Sequence, residues 1–173
     1  LHRLFSQAPT LGSLIDPKQL KADVFAADYE TIQPYLAAVL KAEKADDETR
    51  EQAIAATGMV KAAELLAGEY TLVITNVPYL SRGAHNDLLK NFCERRYKDA
   101  RKDLTTVFLS RCFEFCTRKG TVGAVTLQYW LFLTGYTALR KNLLKTMKWE
   151  AVARLGPGAF QTISGEVVNV AME

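Results

Sequence analysis

The sequence predicts an α/β fold: the C-terminal half of an open, doubly wound sheet behind an N-terminal helical segment. Three observations lead there. From Tyr70 onward, short apolar β-branched runs alternate with segments of helical period. The runs are bounded by Pro, Gly and other turn residues. Ahead of Tyr70 the chain is instead rich in Ala, Glu and Lys at helical spacing. The division therefore falls between residues 1–69, a mainly helical lead-in or insertion, and residues 70–173, part of an α/β domain.

Each element has its own justification. Residues 1–28 carry turn chemistry at Pro9, Gly12 and Asp16-Pro17, and the stretch Asp23 to Asp28 reads equally as a short strand or a helix start. Tyr29 to Lys44 and Asp46 to Ala67 predict helices, with Gly68 as a stop. Neither carries evident chemistry. Tyr70 to Thr75 has no turn residue inside it and suits a buried strand of a parallel sheet. Ala84 to Arg96 and Asp103 to Arg118 have helical periodicity, the second ended by Lys119-Gly120. Thr121 to Leu127 predicts a second buried strand, followed by a helix from about Leu131 to Lys145. Lys148 to Leu155 predicts a third strand, Gly156-Pro157-Gly158 a turn, and Gly165 to Met172 a last strand. The chain starts at Leu1 without Met and ends inside that last strand, so a fragment of a longer protein is expected.

Composition narrows the class without naming a function. The 173 residues are 49% hydrophobic and 24% charged, ordinary for one soluble domain with a proper core. The apolar stretch from Val122 to Tyr136 is interrupted by Thr, Gln and Gly, which suits a strand running into a helix better than a membrane span. No secretory signal is visible, and the cytoplasm is the expected location. Cys93, Cys112 and Cys116 fit reduced thiols, some of them in the core; Cys112 and Cys116 lie one helical turn apart, yet further ligands for a metal are wanting. No metal is expected. The net charge of +3 implies no nucleic acid by itself. Locally, Arg95, Arg96, Lys98, Arg101 and Lys102 form a basic run that a phosphate backbone would attract, or that is simply a solvated helix end.

The most informative segment is Asn76-Val77-Pro78-Tyr79. Pro78 cannot donate to a strand ladder and biases Val77 away from helix, so the strand must stop there. Open α/β sheets bind ligands beyond the carboxyl ends of their strands, which is where Asn76, Pro78 and Tyr79 would stand. An exocyclic amine on an aromatic ring is a poor nucleophile, because its lone pair is delocalised. Acceptors on its hydrogens redirect that lone pair toward an electrophile. The Asn76 side-chain carbonyl and the Pro78 backbone carbonyl are two such acceptors, and Tyr79 offers a face for a flat base. The same tetrapeptide also reads as a plain strand-ending turn.

Asn76-Val77-Pro78-Tyr79 resembles the (Asn/Asp/Ser)-Pro-Pro-(Tyr/Phe/Trp) motif of amino-methyltransferases. Three further blocks follow it in family order: Asp103 to Cys112, Gly123 to Leu144 around Trp130, and Leu155 to Met172. Together they resemble the catalytic domain of the N6-adenine DNA methyltransferases of the γ arrangement, especially the large methylases of type IIG restriction-modification and phage-exclusion systems. The resemblance implies the C-terminal half of a Rossmann-like class I S-adenosylmethionine-dependent methyltransferase sheet. It also implies that Asn76, Pro78 and Tyr79 are catalytic, that Asp103 and Phe108 bind the cofactor, and that Tyr79 and Phe160 enclose a flipped adenine of double-stranded DNA. Without the resemblance, Phe108 and Trp130 read as core, whereas Phe160 follows Gly-Pro-Gly at a loop tip with no core to fill. Gln128 is a weaker candidate for the lining of the cleft. Two departures stand out: Val77 replaces the first Pro of the motif, a position that contributes mainly backbone shape, and no glycine-rich cofactor loop follows a strand in residues 1–68. The implied partners are thus the cofactor-binding half and a target-recognition domain of a longer parent chain. Protein-glutamine and RNA N2-guanine methyltransferases, which share this motif, are the rival enzymes; a non-catalytic DNA- or partner-binding fragment is the rival of another class.

Overall fold

A computed structural model describes residues 2–19, 38, 47–156 and 170–172. The chain divides into two compact units, Leu1–Gly68 and Glu69–Glu173. In the first, short helices α1 (His2–Phe5) and α2 (Ala8–Leu11) lead into 3-10 turns at Gly12–Leu14 and Pro17–Gln19. Gly12 takes a φ of 50°, a left-handed value that suits glycine. Asp16 closes the next turn, accepting from the Lys18 backbone N–H at 3.1 Å and from the Gln19 amide at 3.1 Å. Helix α3 (Asp47–Ala67) ends where expected, and the Gly68 N–H bonds back to the Leu65 carbonyl. The expectations for Asp23 to Asp28 and for nearly all of Tyr29 to Lys44 lie outside the described residues.

The second unit is a four-stranded mixed sheet with helices. Its elements are β1 (Tyr70–Asn76), α4 (Asp87–Arg96), α5 (Leu104–Phe115), β2 (Cys116–Leu127), α6 (Thr137–Thr146), β3 (Ala153–Gly156) and β4 (Val170–Met172), in the sheet order β1-β2-β4-β3. Strands β1 and β2 are parallel, with Asn76 opposite Val125. Strand β4 lies antiparallel between β2 and β3. The end of this sheet is therefore not a continued parallel winding. A reversal needs no crossover helix, and mixed sheets of this kind are common among doubly wound folds.

The helices are capped by their own sequence. Asn86 accepts from the Leu89 N–H at 2.9 Å at the start of α4, which carries Asp87 in its first turn and Arg95 and Arg96 in its last, as the helix dipole favours. Asp103 does the same for α5, accepting from the Thr105 N–H at 2.8 Å. Helix α5 packs across β1 and β2. It buries Leu104, Thr105, Thr106, Val107, Leu109, Arg111 and Cys112, while its last turn sets Phe115 edge-on to Tyr70 at 6.3 Å. The buried Arg111 bonds Glu114 at 2.9 Å and lies 4.0 Å over the Phe115 ring. Trp130 is fully buried against Trp149 and donates to the Thr126 hydroxyl at 3.1 Å.

Several expectations change. The strand from Tyr70 is an edge of the described sheet, with Leu72 57% and Ile74 75% exposed. Tyr70, Leu72 and Ile74 share one face by the two-residue period, and Leu72 and Ile74 on it are exposed. The helix expected through Arg118 stops at Phe115: Cys116 is already extended and pairs with Tyr70, so β2 starts five residues before Thr121. β-branched Thr117, Thr121 and Val122 favour that choice. Residues 131–136 are not the start of a helix. Two 3-10 turns occupy Gln128–Leu131 and Thr134–Tyr136, where Arg140 donates to the carbonyls of Trp130 at 2.6 Å and Leu133 at 2.7 Å. The third strand is shorter than Lys148 to Leu155, starting only at Ala153. The rest of the Gly156-Pro157-Gly158 turn and residues 165–169 lie outside the described residues.

Gly120 is part of β2 and not a helix stop, and its missing side chain has a function there. The β1–β2 register shifts between Tyr70 and Leu72, and a Cβ on Gly120 would stand 2.8 Å from the Thr71 carbonyl oxygen and 2.6 Å from Cys116 Sγ. Gly120→Ala is therefore expected to destabilise the second unit by about 2 kcal/mol through overpacking. Thermal unfolding followed by circular dichroism should register this as a fall in Tm of roughly 10 °C; an unchanged Tm would show that the two strands separate freely at this point.

Candidate active site

The candidate residues Asn76, Pro78 and Tyr79 stand at the carboxyl end of β1. Asn76 is the last residue of the strand and is exposed, as is Pro78; Tyr79 is half-buried. The Tyr79 hydroxyl donates to Asn76 Oδ1 at 2.9 Å, which turns the amide oxygen toward the ring and leaves that oxygen a second lone pair. Burial raises the Tyr79 pKa, so the phenol remains a donor at neutral pH. Val77, the departure from the motif, is 2% exposed and its N–H donates to the Val125 carbonyl at 3.4 Å. A proline could not make that last ladder bond. The substitution therefore adds a core side chain and a strand contact without moving Asn76 or Pro78 off the strand end.

The loop beyond is fixed by the start of α5. The Leu104 N–H donates to the Leu80 carbonyl at 2.9 Å, the Arg82 N–H to the Lys102 carbonyl at 3.1 Å, and Ser81 bridges Asp103 in antiparallel fashion. The His85 ring Nε2 also meets the Leu80 carbonyl, at 3.0 Å. Thr105 Oγ1 donates to the Pro78 carbonyl at 3.3 Å. Motif and helix are thus stitched through backbone and hydroxyl contacts.

Asp103 is 2% exposed, and its carboxylate is occupied within the protein. Besides capping α5 it bonds the Tyr129 hydroxyl: burial first, then that bond and the Asp103 charge, push the Tyr129 pKa far above the ordinary phenol range. Tyr136, whose ring centroid is 6.0 Å from that of Tyr129, is pushed up to about 12 by burial and then by the Asp103 charge. Both phenols remain neutral, and Tyr129 is the one that bonds the carboxylate. Phe108 lies on the same helix, half-buried between the fully buried Val107 and Leu109. Phe160 lies outside the described residues. Gln128, just past the end of β2, accepts from Arg154 Nε at 2.9 Å, and Arg154 stands 5.7 Å over the Phe132 ring.

The basic run follows the motif on α4 and the turn after it. Arg95, Arg96, Lys98 and Lys102 are exposed and Arg101 is half-buried. Arg96 pairs with Glu114 at 3.3 Å, Arg101 donates to the Lys98 carbonyl at 2.6 Å, and the Lys102 side chain packs where a Cβ on Gly135 would be. Cys93 and Cys112 are buried thiols whose pKa values burial pushes up to about 11. Among the described residues no three His, Cys, Asp or Glu side chains are grouped to hold a metal ion, and no helix is long and apolar enough to cross a membrane.

Thr105, Tyr129 and Tyr136 are the site residues that sequence reasoning missed. Asp103 ahead of an apolar helical run carries an N-cap signal. Nothing in the sequence pairs Thr105 with a carbonyl 27 positions earlier.

The carboxyl end of β1 thus presents an exposed amide, a carbonyl that Thr105 contacts and a half-buried aromatic ring. The chain belongs to the Eco57I restriction-modification methylase family, whose model matches residues 12–160. It is similar to the adenine-specific methyltransferase BrxX of Escherichia coli O9:H4 (strain HS), 35% identical over 166 residues that make up 96% of this chain and 13% of that protein. It is also similar to the adenine-specific methyltransferase PglX of Lacticaseibacillus casei (strain Zhang), 31% identical over 113 residues, 64% of this chain and 9% of that protein. The chain thus spans a small part of the length of the relatives it matches.

Proposed function

We propose that this chain forms the target-base side of a DNA adenine-N6 methyltransferase, within a longer methylase of a restriction-modification or phage-defence system. The observation that carries the proposal is the pair of acceptors at the end of β1, Asn76 Oδ1 and the Pro78 carbonyl, beside the half-buried Tyr79 ring. A flipped adenine stacks on Tyr79, with Phe160 on its other face, and gives its two amine hydrogens to those acceptors. S-adenosylmethionine supplies the methyl group, carried on a sulfonium. The protein's part is positioning: neither acceptor is a strong base, and the amine sheds its proton during or after attack.

The residues present fit that cofactor in one respect. Phe108 is only half-buried on a helix otherwise buried around it, and its aromatic ring suits an adenine ring. Asp103, committed to the helix cap and to Tyr129, contributes by fixing where that ring stands. The position of β1 at the edge of the described sheet supports a larger, Rossmann-like class I sheet continuing beyond it, with the cofactor-binding half on that side. In this arrangement residues 1–69 are the lead-in, 70–173 are part of the catalytic domain, and a target-recognition domain of the same enzyme reads the duplex. The exposed cations Arg95, Arg96, Lys98 and Lys102, with Arg101 behind them, hold the DNA backbone. The enzyme works in the cytoplasm.

The full-length methylase incubated with tritiated S-adenosylmethionine, duplex DNA and a release-factor protein should place its label in the DNA. Label in the protein alone would assign the same acceptors to a glutamine amide.

A further inference from the structure

We infer that Thr105 is a positioning residue for methyl transfer, holding the Pro78 carbonyl at the angle from which it accepts the target amine. The inference rests on the reading of Pro78 as an acceptor. The pyrrolidine ring fixes φ of Pro78, so ψ is the one soft dihedral that aims its carbonyl. The peptide before it is already fixed: Val77 is buried and its N–H is bonded to Val125. The chain after it is fixed where Leu80 accepts from Leu104. Between these anchors, Thr105 Oγ1 reaches the Pro78 oxygen at 3.3 Å. That distance is long for a hydroxyl donor, so the bond is a weak one that biases ψ of Pro78 and adds little stability. A carbonyl oxygen has two lone pairs; the hydroxyl takes one and leaves the other for a second donor at the exposed Pro78.

Thr105 is itself held firmly. It is fully buried, β-branched and therefore stiff at χ1, and its backbone N–H is anchored by Asp103 at 2.8 Å. Its neighbour supplies the contrast. Thr106 is equally buried, but its hydroxyl bonds the Ala100 carbonyl at 2.6 Å and the Asp103 carbonyl at 3.0 Å, holding the turn before α5 and leaving the motif untouched. Two adjacent buried hydroxyls thus serve different ends.

The test uses the full-length methylase with duplex DNA under single-turnover conditions. Thr105→Val keeps the shape and removes the donor; Thr105→Ala removes it in a second way should the valine variant fold poorly. Both are expected to lower the rate constant for transfer about tenfold, with the Kd for S-adenosylmethionine and for DNA changed less than about threefold, and Thr105→Ser is expected to restore the rate to within about twofold. Thr106→Val should lower Tm and leave the transfer rate of the folded enzyme near wild type. Wild-type transfer in the valine or alanine variant, a loss confined to Kd, or an equal rate loss in Thr106→Val would each overturn the inference. An Asn76→Ala variant run alongside separates the two levels: if it stays active the acceptor reading itself fails, and if it is inactive while Thr105→Val is not, only the role of Thr105 fails.

Discussion

Asn76→Ala should lower methyl transfer by the full-length methylase by about 10²- to 10³-fold, the scale seen when one preorganised hydrogen-bonding group is removed from an active site. The effect is large because the amine loses its side-chain acceptor while the base remains stacked. Stability should change by less than about 0.5 kcal/mol, since the Asn76 side chain is exposed at the strand end and fills no core. Among the described residues it bonds the Tyr79 hydroxyl, which can turn to water. The comparison to make is the single-turnover rate against Tm and DNA affinity in the same preparation. A rate within tenfold of wild type would take Asn76 out of the chemistry.

Asp103→Ala should have the largest effect on stability, about 3 kcal/mol. Two losses combine there: the N-cap of α5, ordinarily worth about 1 kcal/mol, and a buried acceptor whose removal strands the Tyr129 hydroxyl at about 1–3 kcal/mol. Asp103→Asn keeps an acceptor for the Thr105 N–H and should recover the cap, since Asn and Asp cap equally well. Equilibrium urea denaturation measures both. In a cycle with Tyr129→Phe the double variant should be less destabilised than the sum of the single ones, as coupled groups in contact are. Additive effects would separate Asp103 from Tyr129.

How far the sequence carries depends on the range of the interaction involved. The strand from Tyr70 is legible because six residues of strand-favouring chemistry end in a Pro two positions past Asn76, and α4 and α5 are legible in the helical period of Ala84 to Arg96 and Asp103 to Arg118, although α4 starts only at Asp87. The motif is legible for the same reason: Asn76, Pro78 and Tyr79 are contiguous, so one turn gathers them. What was misread depends on tertiary partners. Cys116 to Arg118 continue a helical period, yet pairing with β1 draws them into β2. Leu131 to Tyr136 looks helical until Arg140 takes the Leu133 carbonyl within it and the Trp130 carbonyl just before it. An apolar run such as Leu72 to Ile74 says that a face wants cover and not what provides it, so the exposed edge could not be foreseen. The support of the site is the least legible part, because Thr105 acts on Pro78, and Tyr129 on Asp103, across 27 and 26 positions of chain.

The central claim is that Asn76-Val77-Pro78-Tyr79 presents an adenine amine for methylation. It is tested most directly by nucleoside mass spectrometry of duplex DNA incubated with S-adenosylmethionine and either the full-length methylase or its Asn76→Ala variant. N6-methyladenine in the first digest and its near absence from the second is the predicted result; methylated cytosine in place of methylated adenine, or equal N6-methyladenine in both digests, would contradict it.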